Sequence, residues 1–519
     1  MGVSGQTFKH AAIYSIANVL GGLASFLLLP FYAHLFRAEG YGVIALIDTS
    51  LGMFTVLLSG GLQMAIIRIY HEEDNSSQKS LSIATGVRLV WCLAFLLAFV
   101  PIIFSRPLSE FLFGTEQYYS LIIIALVTFV IDVAGQSASA VQIIRQQSVL
   151  FSSIGLVRLV VGLSLNVWLV VILQVGLIGF FLSSLVTAVL SSAAFHFIAI
   201  KEHGFGFDQR IAEKLVRFQL PLMPGEVISF MGRQADRIQV RALVGLEGVG
   251  ILEMAYKFPP LLNLFINIPF RRAWNTKSME IAEQDGAPEV IASMFTRFLY
   301  LNMFAGLLLA LTIQDILKVM TPSEFWPAGR IAQIEIMTTI LTACGMYLSF
   351  GILYRKQTKI LSTVRIVLVP LKLVLGWVFI VRWGLAGAAV SALIIELTSL
   401  GWIAVKGHSF YPLPLEYAKI VAIVLYAAFL FVLLDGTTYE IVMPMAERLV
   451  SDVVQAMQLM PMEKGNIGRM IELLHERREH VISFVLNCLS GLSFLALFPL
   501  VRGPQPLLKG SQNVGVIKV

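Results

Sequence analysis

Long apolar runs dominate this chain, and they recur at a length suited to one environment. A helix that crosses a membrane needs about 20 mostly apolar residues. By that measure the sequence predicts spans near 11–35, 41–67, 82–104, 119–144, 149–173, 176–200, 215–243, 249–270, 295–314, 329–354, 360–381, 384–405, 416–434 and 481–500. The boundaries are least sharp in 215–270, where charges interrupt the runs. One long polar stretch, 435–480, separates the last two. In its first half Ala446, Leu449, Val450, Val453, Val454 and Met457 share a helical face opposite Glu447, Arg448, Asp452 and Gln455. Such a helix is expected to lie in the membrane interface or pack on the rim of a bundle. The first run is too long for a signal-peptide core and lacks a small-residue cleavage site, so it reads as retained. The expected fold is all-α, a polytopic membrane protein of about fourteen helices.

Composition narrows the class further. Of 519 residues, 57% are hydrophobic and 13% charged, with a mean hydropathy of +0.80. A soluble domain carries about 25% charged residues. This excludes a soluble globular enzyme, a disordered chain and a disulfide scaffold. Net charge is +6, but its placement matters more than its size. With the N-terminus inside, 21 Lys and Arg residues fall in inner loops and ends against 6 in outer loops. The positive-inside rule therefore puts both termini in the cytoplasm. Cys92, Cys344 and Cys488 each stand alone in an apolar run, which reads as buried structural thiols.

An internal repeat appears at an offset of 208 residues. Leu35-Phe-Arg-Ala-Glu39-Gly40-Tyr-Gly42-Val-Ile matches Leu243-Val-Gly-Leu-Glu247-Gly248-Val-Gly250-Ile-Leu. Each copy sits between two spans, where its glycines suit a tight outer turn because positive φ is cheap only for Gly. Six spans separate the copies, so both run in the same direction. That predicts two parallel six-helix lobes around a central cavity, related by an axis along the membrane normal, an arrangement suited to alternating access. The expected division is 1–205 for the first lobe, 206–410 for the second, and 411–519 for two extra helices with the polar insertion.

No phosphate loop, HExxH or GxSxG is present, and no His/Cys/Asp set has metal spacing. His196, alone in a span, reads as a helix-end or packed residue. No catalytic residue, metal, cofactor or nucleic-acid partner is expected, and the chain does not read as an enzyme.

Polar stripes carry the candidate chemistry, since an ionisable group at mid-bilayer costs about 2.5–3.5 kcal/mol and must face protein or water. In the seventh span Arg233, Asp236, Arg237 and Arg241 fall on one stripe, with Glu226 two turns earlier. In the eighth, Glu253, Lys257, Pro260, Asn267 and Arg271 share a face. Asp48, Gly52, Thr55, Ser59 and Gln63 do so in the second, and Ser15, Asn18, Gly22 and Ser25 in the first. These four helices form the two pairs related by the repeat, so their faces are expected to line one cavity. Arg233, Arg237 and Lys257 outnumber the nearest carboxylates and would attract an anion, most naturally a phosphate or pyrophosphate. Asn18 and Asn267 join them as candidate substrate contacts. Structural pairing is the competing reading for Asp236 and Glu253, the latter with Lys257 at i+4. Pro259 and Pro260 should break or kink the eighth helix.

Elsewhere Asp132 and Arg158 suit a pair that ties the first lobe together. Asp132 or Asp48 could instead bind a coupling proton or sodium ion. Lys372 and Glu396 are the candidate pair of the second lobe, and Gly384–Ser391 reads as close helix packing.

These residues also resemble a known family. Ala12-Ile-Tyr-Ser15 through Leu29-Pro30, then Phe36–Gly42 and Ala45-Leu46, resembles the start of bacterial polysaccharide-export flippases. Phe218–Pro224, Asp236-Arg237, Gly248-Val-Gly250 and Ala255-Tyr256-Lys257 resemble the start of their second half. These proteins belong to the multidrug/oligosaccharidyl-lipid/polysaccharide exporter superfamily. The resemblance implies a flippase of the bacterial cytoplasmic membrane that is not driven by ATP. It would move an undecaprenyl-pyrophosphate-linked oligosaccharide from inner to outer leaflet, beside a polymerase or other assembly proteins. Its cationic lumen would fall to Arg233, Arg237 and Lys257. The insertion at 435–480 departs from the family, in some members of which the last two helices form a groove for the lipid tail. Two alternatives are a cation-coupled multidrug antiporter of the same superfamily and a membrane-embedded polysaccharide polymerase or ligase.

Overall fold

The computed structural model describes residues 28–433 together with Phe26, Asn487, Phe494 and Leu495. Ser15, Asn18, Gly22, Ser25, Cys488 and the polar segment 435–480 lie outside the described residues, as does nearly all of 481–500. Every regular element among the described residues is helical. Ten stretches are long and apolar enough to cross a membrane: Leu29–Glu72, Ser76–Ile103, Glu116–Ile144, Ser148–Ile172, Leu177–His203, Leu246–Asn275, Ala287–Met320, Ser323–Tyr354, Lys359–Trp383 and Leu385–Phe410. Tyr417–Leu433 is apolar but shorter.

The expected seventh span, 215–243, is not among the ten. It forms two pieces, Gln209–Gln219 and Met223–Leu243, separated at 220–222 beside Pro221. The first piece is a strongly amphipathic helix that buries Ile211, Ala212 and Leu215. Asp208 caps it, accepting from the backbone N–H of Arg210 and Ile211 at 2.7 and 3.2 Å.

The chain divides into two compact units, Met1–Glu253 and Met254–Val519. In the first, α1 (Leu29–Glu72), α2 (Ser76–Ile103), α3 (Ser105–Phe113), α4 (Tyr119–Ala138), α5 (Ala140–Ile144), α6 (Ser148–Asn166), α7 (Leu177–His203), α8 (Gln209–Gln219) and α9 (Met223–Leu243) are followed by α10 (Leu246–Ala255), which crosses the division. In the second come α11 (Pro259–Leu262), α12 (Ile268–Ala282), α13 (Ala287–Met320), α14 (Ala328–Leu348), α15 (Phe350–Tyr354), α16 (Lys359–Trp383) and α17 (Leu385–Phe410).

Backbone irregularities recur in the two halves. α1 is two helices joined at Arg37, which has φ 57°; its counterpart 208 residues on, Gly245, has φ 115°. Positive φ therefore falls on Arg37 and Gly245 rather than on Gly40, Gly42, Gly248 and Gly250, the glycines that the two copies share. Those glycines serve close approach instead. Ser139 and Ser349 each interrupt a span before a short helix, and Gln146 and Lys356 turn left-handed after it, at φ 54° and 57°. Gly176 and Gly384, both at positive φ, open α7 and α17. A Cβ on Gly179 would sit 3.2 Å from Leu169 Cβ, and one on Gly387 would overlap the carbonyl of Phe379. Small residues in 384–391 thus pack against α16, with Ser391 fully buried.

Aromatic stacking builds the core of the second unit. Phe270 and Phe298 stack at 4.1 Å between centroids and Trp274 and Tyr347 at 4.3 Å. The buried Tyr347 hydroxyl donates to the Ile291 carbonyl at 2.8 Å, which satisfies the one polar atom the ring carries inside. Asn487 docks on α13, donating to Asp315 Oδ2 at 3.0 Å and the Leu311 carbonyl at 3.1 Å.

Candidate functional site

α9 carries charge along much of its length, at Glu226, Arg233, Asp236, Arg237 and Arg241. Arg233 lies midway along it and is exposed, while Asp236, one turn on, is only 2% exposed. Arg237 is held from both sides. Its Nε and Nη2 reach Glu253 Oε2 at 2.9 and 2.7 Å, and its Nη1 donates to Gln234 Oε1 at 2.6 Å. The side chains of this pair are 15% and 17% exposed. Arg241 leaves the stripe, donating from Nε to the Leu112 carbonyl at 2.6 Å. The four residues therefore do different things. Among the described residues, Arg233 is in no ion pair.

The eighth span is broken as its two prolines require. α10 ends at Ala255, and helix resumes only at Pro259. Lys257 lies in the break and is exposed. A wide i→i+5 turn, Asn263–Asn267, follows. It adds a residue to the helical repeat and rotates everything after it. Asn267 accordingly does not share an exposed face with Lys257, Pro260 and Arg271. It is 6% exposed and donates to Asn263 Oδ1 at 3.0 Å. Asp48 sits on an exposed face of α1.

A second polar cluster lies within the first unit. Arg158 of α6 donates to Asp132 Oδ1 of α4 at 2.5 Å, and Gln136 donates to the other carboxylate oxygen at 3.1 Å. Gln63 of α1 donates to the Gln136 carbonyl at 2.9 Å and to Ser139 Oγ at 3.2 Å. Around the pair is a cavity of about 150 Å³, lined also by Gly155, Ser191, Phe151 and Phe195. Ser191 was not among the sequence candidates, yet a signal exists. Ser183, Thr187 and Ser191 fall at i, i+4 and i+8 and are all buried. In the second unit the Thr342 hydroxyl of α14 donates to the Thr338 carbonyl at 2.9 Å, and Glu396 of α17 is half-buried.

Two further residues are structural. His196 Nε2 accepts from the Trp91 indole at 2.8 Å, and its Nδ1 lies 2.8 Å from the Ser192 carbonyl, so both ring nitrogens are used in packing. Cys344 is buried as expected, but Cys92 is exposed, on the outward face of a span where burial by protein is not required.

A helical membrane bundle with charged side chains on α9 and in the α10–α11 break, and a polar cavity within the first unit, has the form of a transporter. Its fold is similar to that of two solved membrane proteins. One is the lipid II flippase MurJ in an inward closed conformation, with a TM-score of 0.67, 12% identity, and coverage of 93% of this chain and 100% of that one. The other is an inward-facing multidrug resistance MATE family transporter of the MOP superfamily, at 0.59, 13%, 78% and 96%. The chain belongs to the polysaccharide biosynthesis protein family, which it matches over residues 8–275. It is also similar to the succinoglycan biosynthesis transport protein ExoT of Rhizobium meliloti (strain 1021), 21% identical over 269 residues. That match covers 50% of this chain and 51% of the relative, so the chain aligns with about half the length of this curated protein.

Proposed function

We propose that the protein is a flippase for an undecaprenyl-pyrophosphate-linked oligosaccharide, working by alternating access in the bacterial cytoplasmic membrane. Both termini lie inside, and two six-helix lobes, 1–205 and 206–410, flank a central cavity, with helices thirteen and fourteen beyond them. Membership of the polysaccharide family supports the substrate class, and the MurJ-like fold supports the mode of transport. The observation that carries the reading is Arg233, exposed midway along a helix too polar to face lipid and in no ion pair among the described residues. A guanidinium there meets a pyrophosphate with a planar fork of donors, the strongest geometry available to a side chain.

Arg237 and Lys257 complete the cationic site, and Glu253 holds Arg237 until the anion arrives. Asn267 and Asn18 are proposed as contacts to the sugar or its phosphate. Asp48, Asp132 and Asp236 are the candidates for ion coupling. Asp132 is both paired with Arg158 and beside a cavity. A polymerase or other assembly protein would take the glycan on the outer side.

The test is Arg233→Ala in a producing strain. Loss of surface polysaccharide at unchanged protein level is expected. Normal polymer from a fully expressed variant would refute the role.

A further inference from the structure

Two turns, 36–42 and 244–250, carry the repeated motif, and they meet as equivalents. A Cβ built on Gly42 would overlap the Leu246 carbonyl oxygen, and one built on Gly250 would overlap the Ala38 carbonyl oxygen. Residue 246 is the repeat counterpart of 38, and 250 of 42. The contact therefore maps onto itself when the copies are exchanged, as a two-fold interface does. Within each copy a further relation repeats. A Cβ on Gly40 would sit 2.9 Å from Phe36 Cβ, and one on Gly248 would sit 3.1 Å from Val244 Cβ. Ala38 and Val249 are fully buried.

A strap spans the same end of the helices. The Tyr118 hydroxyl donates to Glu39 Oε1 at 3.0 Å, and Arg241 reaches the Leu112 carbonyl at the C-terminal end of α3. A cation there is favoured by the helix dipole. The turn at 36–42 and the end of α9 are thus tied to one short segment, 105–118. Farther along α1, Gly52 packs against the Phe230 ring and Gly61 against Gln219.

We infer that the reciprocal glycine contact is the outer gate of the transport cycle, closed in this structure and parted in the opposite state. The inference rests on the transport reading and on the positive-inside orientation. Backbone is set directly against backbone, with the Leu246 side chain also close to Gly42, so there is little room to adjust; the contact is either made or separated, and packed interfaces of this kind switch rather than deform. The strap through Arg241 supplies the directional bonds, and these can be broken and remade.

The test uses a chain with Cys92, Cys344 and Cys488 replaced by Ser and the single reporter Ala38→Cys, whose position is 0% exposed. The probe is a membrane-impermeant sulfonated methanethiosulfonate added to right-side-out vesicles. Labelling of the reporter should be slow in this background. It should become at least about tenfold faster when Gly42→Ala wedges the other half of the contact. Arg241→Ala, which removes the strap without adding atoms, should also speed it and decides the matter if Gly42→Ala does not fold. Gly225→Ala, where nothing lies within 4 Å of the added Cβ, should leave the rate as in the background. Parent-rate labelling in well-folded Gly42→Ala and Arg241→Ala chains would overturn the gate, and labelling only from inside-out vesicles would overturn its outer placement. No glycan enters the readout, so its failure is distinct from failure of the flippase reading.

Discussion

Arg237 points both prongs of its guanidinium at one oxygen of Glu253, Nε at 2.9 Å and Nη2 at 2.7 Å. Both side chains are mostly buried, so the pair holds the end of α9 against α10 and neutralises a cation that the sequence assigns to the substrate. Removing one member of a buried pair costs about 3–5 kcal/mol, because the other charge is left without its partner. Glu253→Gln should therefore lower thermal stability by about that amount in detergent. A Glu253→Gln/Arg237→Met double variant should recover most of it. Additive losses would show that the two side chains act independently.

The same pair sets a competition with substrate. If Glu253 occupies Arg237 in the empty protein, releasing it strengthens the site. A well-folded Glu253→Gln chain should bind undecaprenyl pyrophosphate more tightly than its parent by about tenfold, the equivalent of 1.4 kcal/mol. Equal affinities would assign Glu253 to packing alone.

Asp132 and Arg158 make a weaker pair. Their side chains are 25% and 40% exposed, and pairs open to water contribute about 1 kcal/mol or less. Asp132→Asn should cost about that in unfolding experiments, since the amide still accepts from Gln136. A loss several times larger would mean that the pair holds the first unit together.

Two glycines of α16 and α17 separate tight approach from open space. Gly387→Ala drives a methyl into the Phe379 carbonyl, and overpacking of this kind costs about 1–3 kcal/mol. Gly401→Ala meets nothing within 4 Å and should gain about 0.5–1 kcal/mol, as Ala does over Gly in a helix interior. Thermal unfolding of the two variants should move in opposite directions.

Membrane class and helix positions were readable because apolar length is a one-dimensional signal. Ten expected spans fall on long apolar helices, and the prolines at 259 and 260 break the eighth where their missing N–H groups dictate. The extent of the repeat was not readable. The connection carrying Gln174, at φ 51°, makes the stretch from Leu169 to Gly176 two residues longer than that from Phe379 to Gly384, so the offset is 208 at the motif and at Gly176 but 210 at Ser139 and Gln146. Left-handed backbone at Gln146 and Lys356 falls in matching stretches, each between an Arg and a Gln (Arg145 and Gln147, Arg355 and Gln357), 210 residues apart.

Helical counting failed wherever the backbone left the 3.6-residue repeat. Asn267 was placed on the face of Lys257 by regular spacing, and the wide turn at 263–267 rotates it inward. Arg241 was assigned to the stripe of Arg233 and instead caps α3, a long-range contact that no local pattern encodes. The pairing of Glu253 with Arg237 is of the same kind. It depends on α9 and α10 folding back at Gly245. By contrast Asp132 and Arg158 were legible as a pair, since each was the prominent charge in its own span.

The most direct test is translocation itself. Purified protein in liposomes should carry a fluorescent undecaprenyl-pyrophosphate oligosaccharide between leaflets, followed by its protection from an added glycosidase. Arg233→Ala should reduce the rate to that of empty liposomes while leaving reconstitution unchanged. Equal rates for parent and variant would contradict the account.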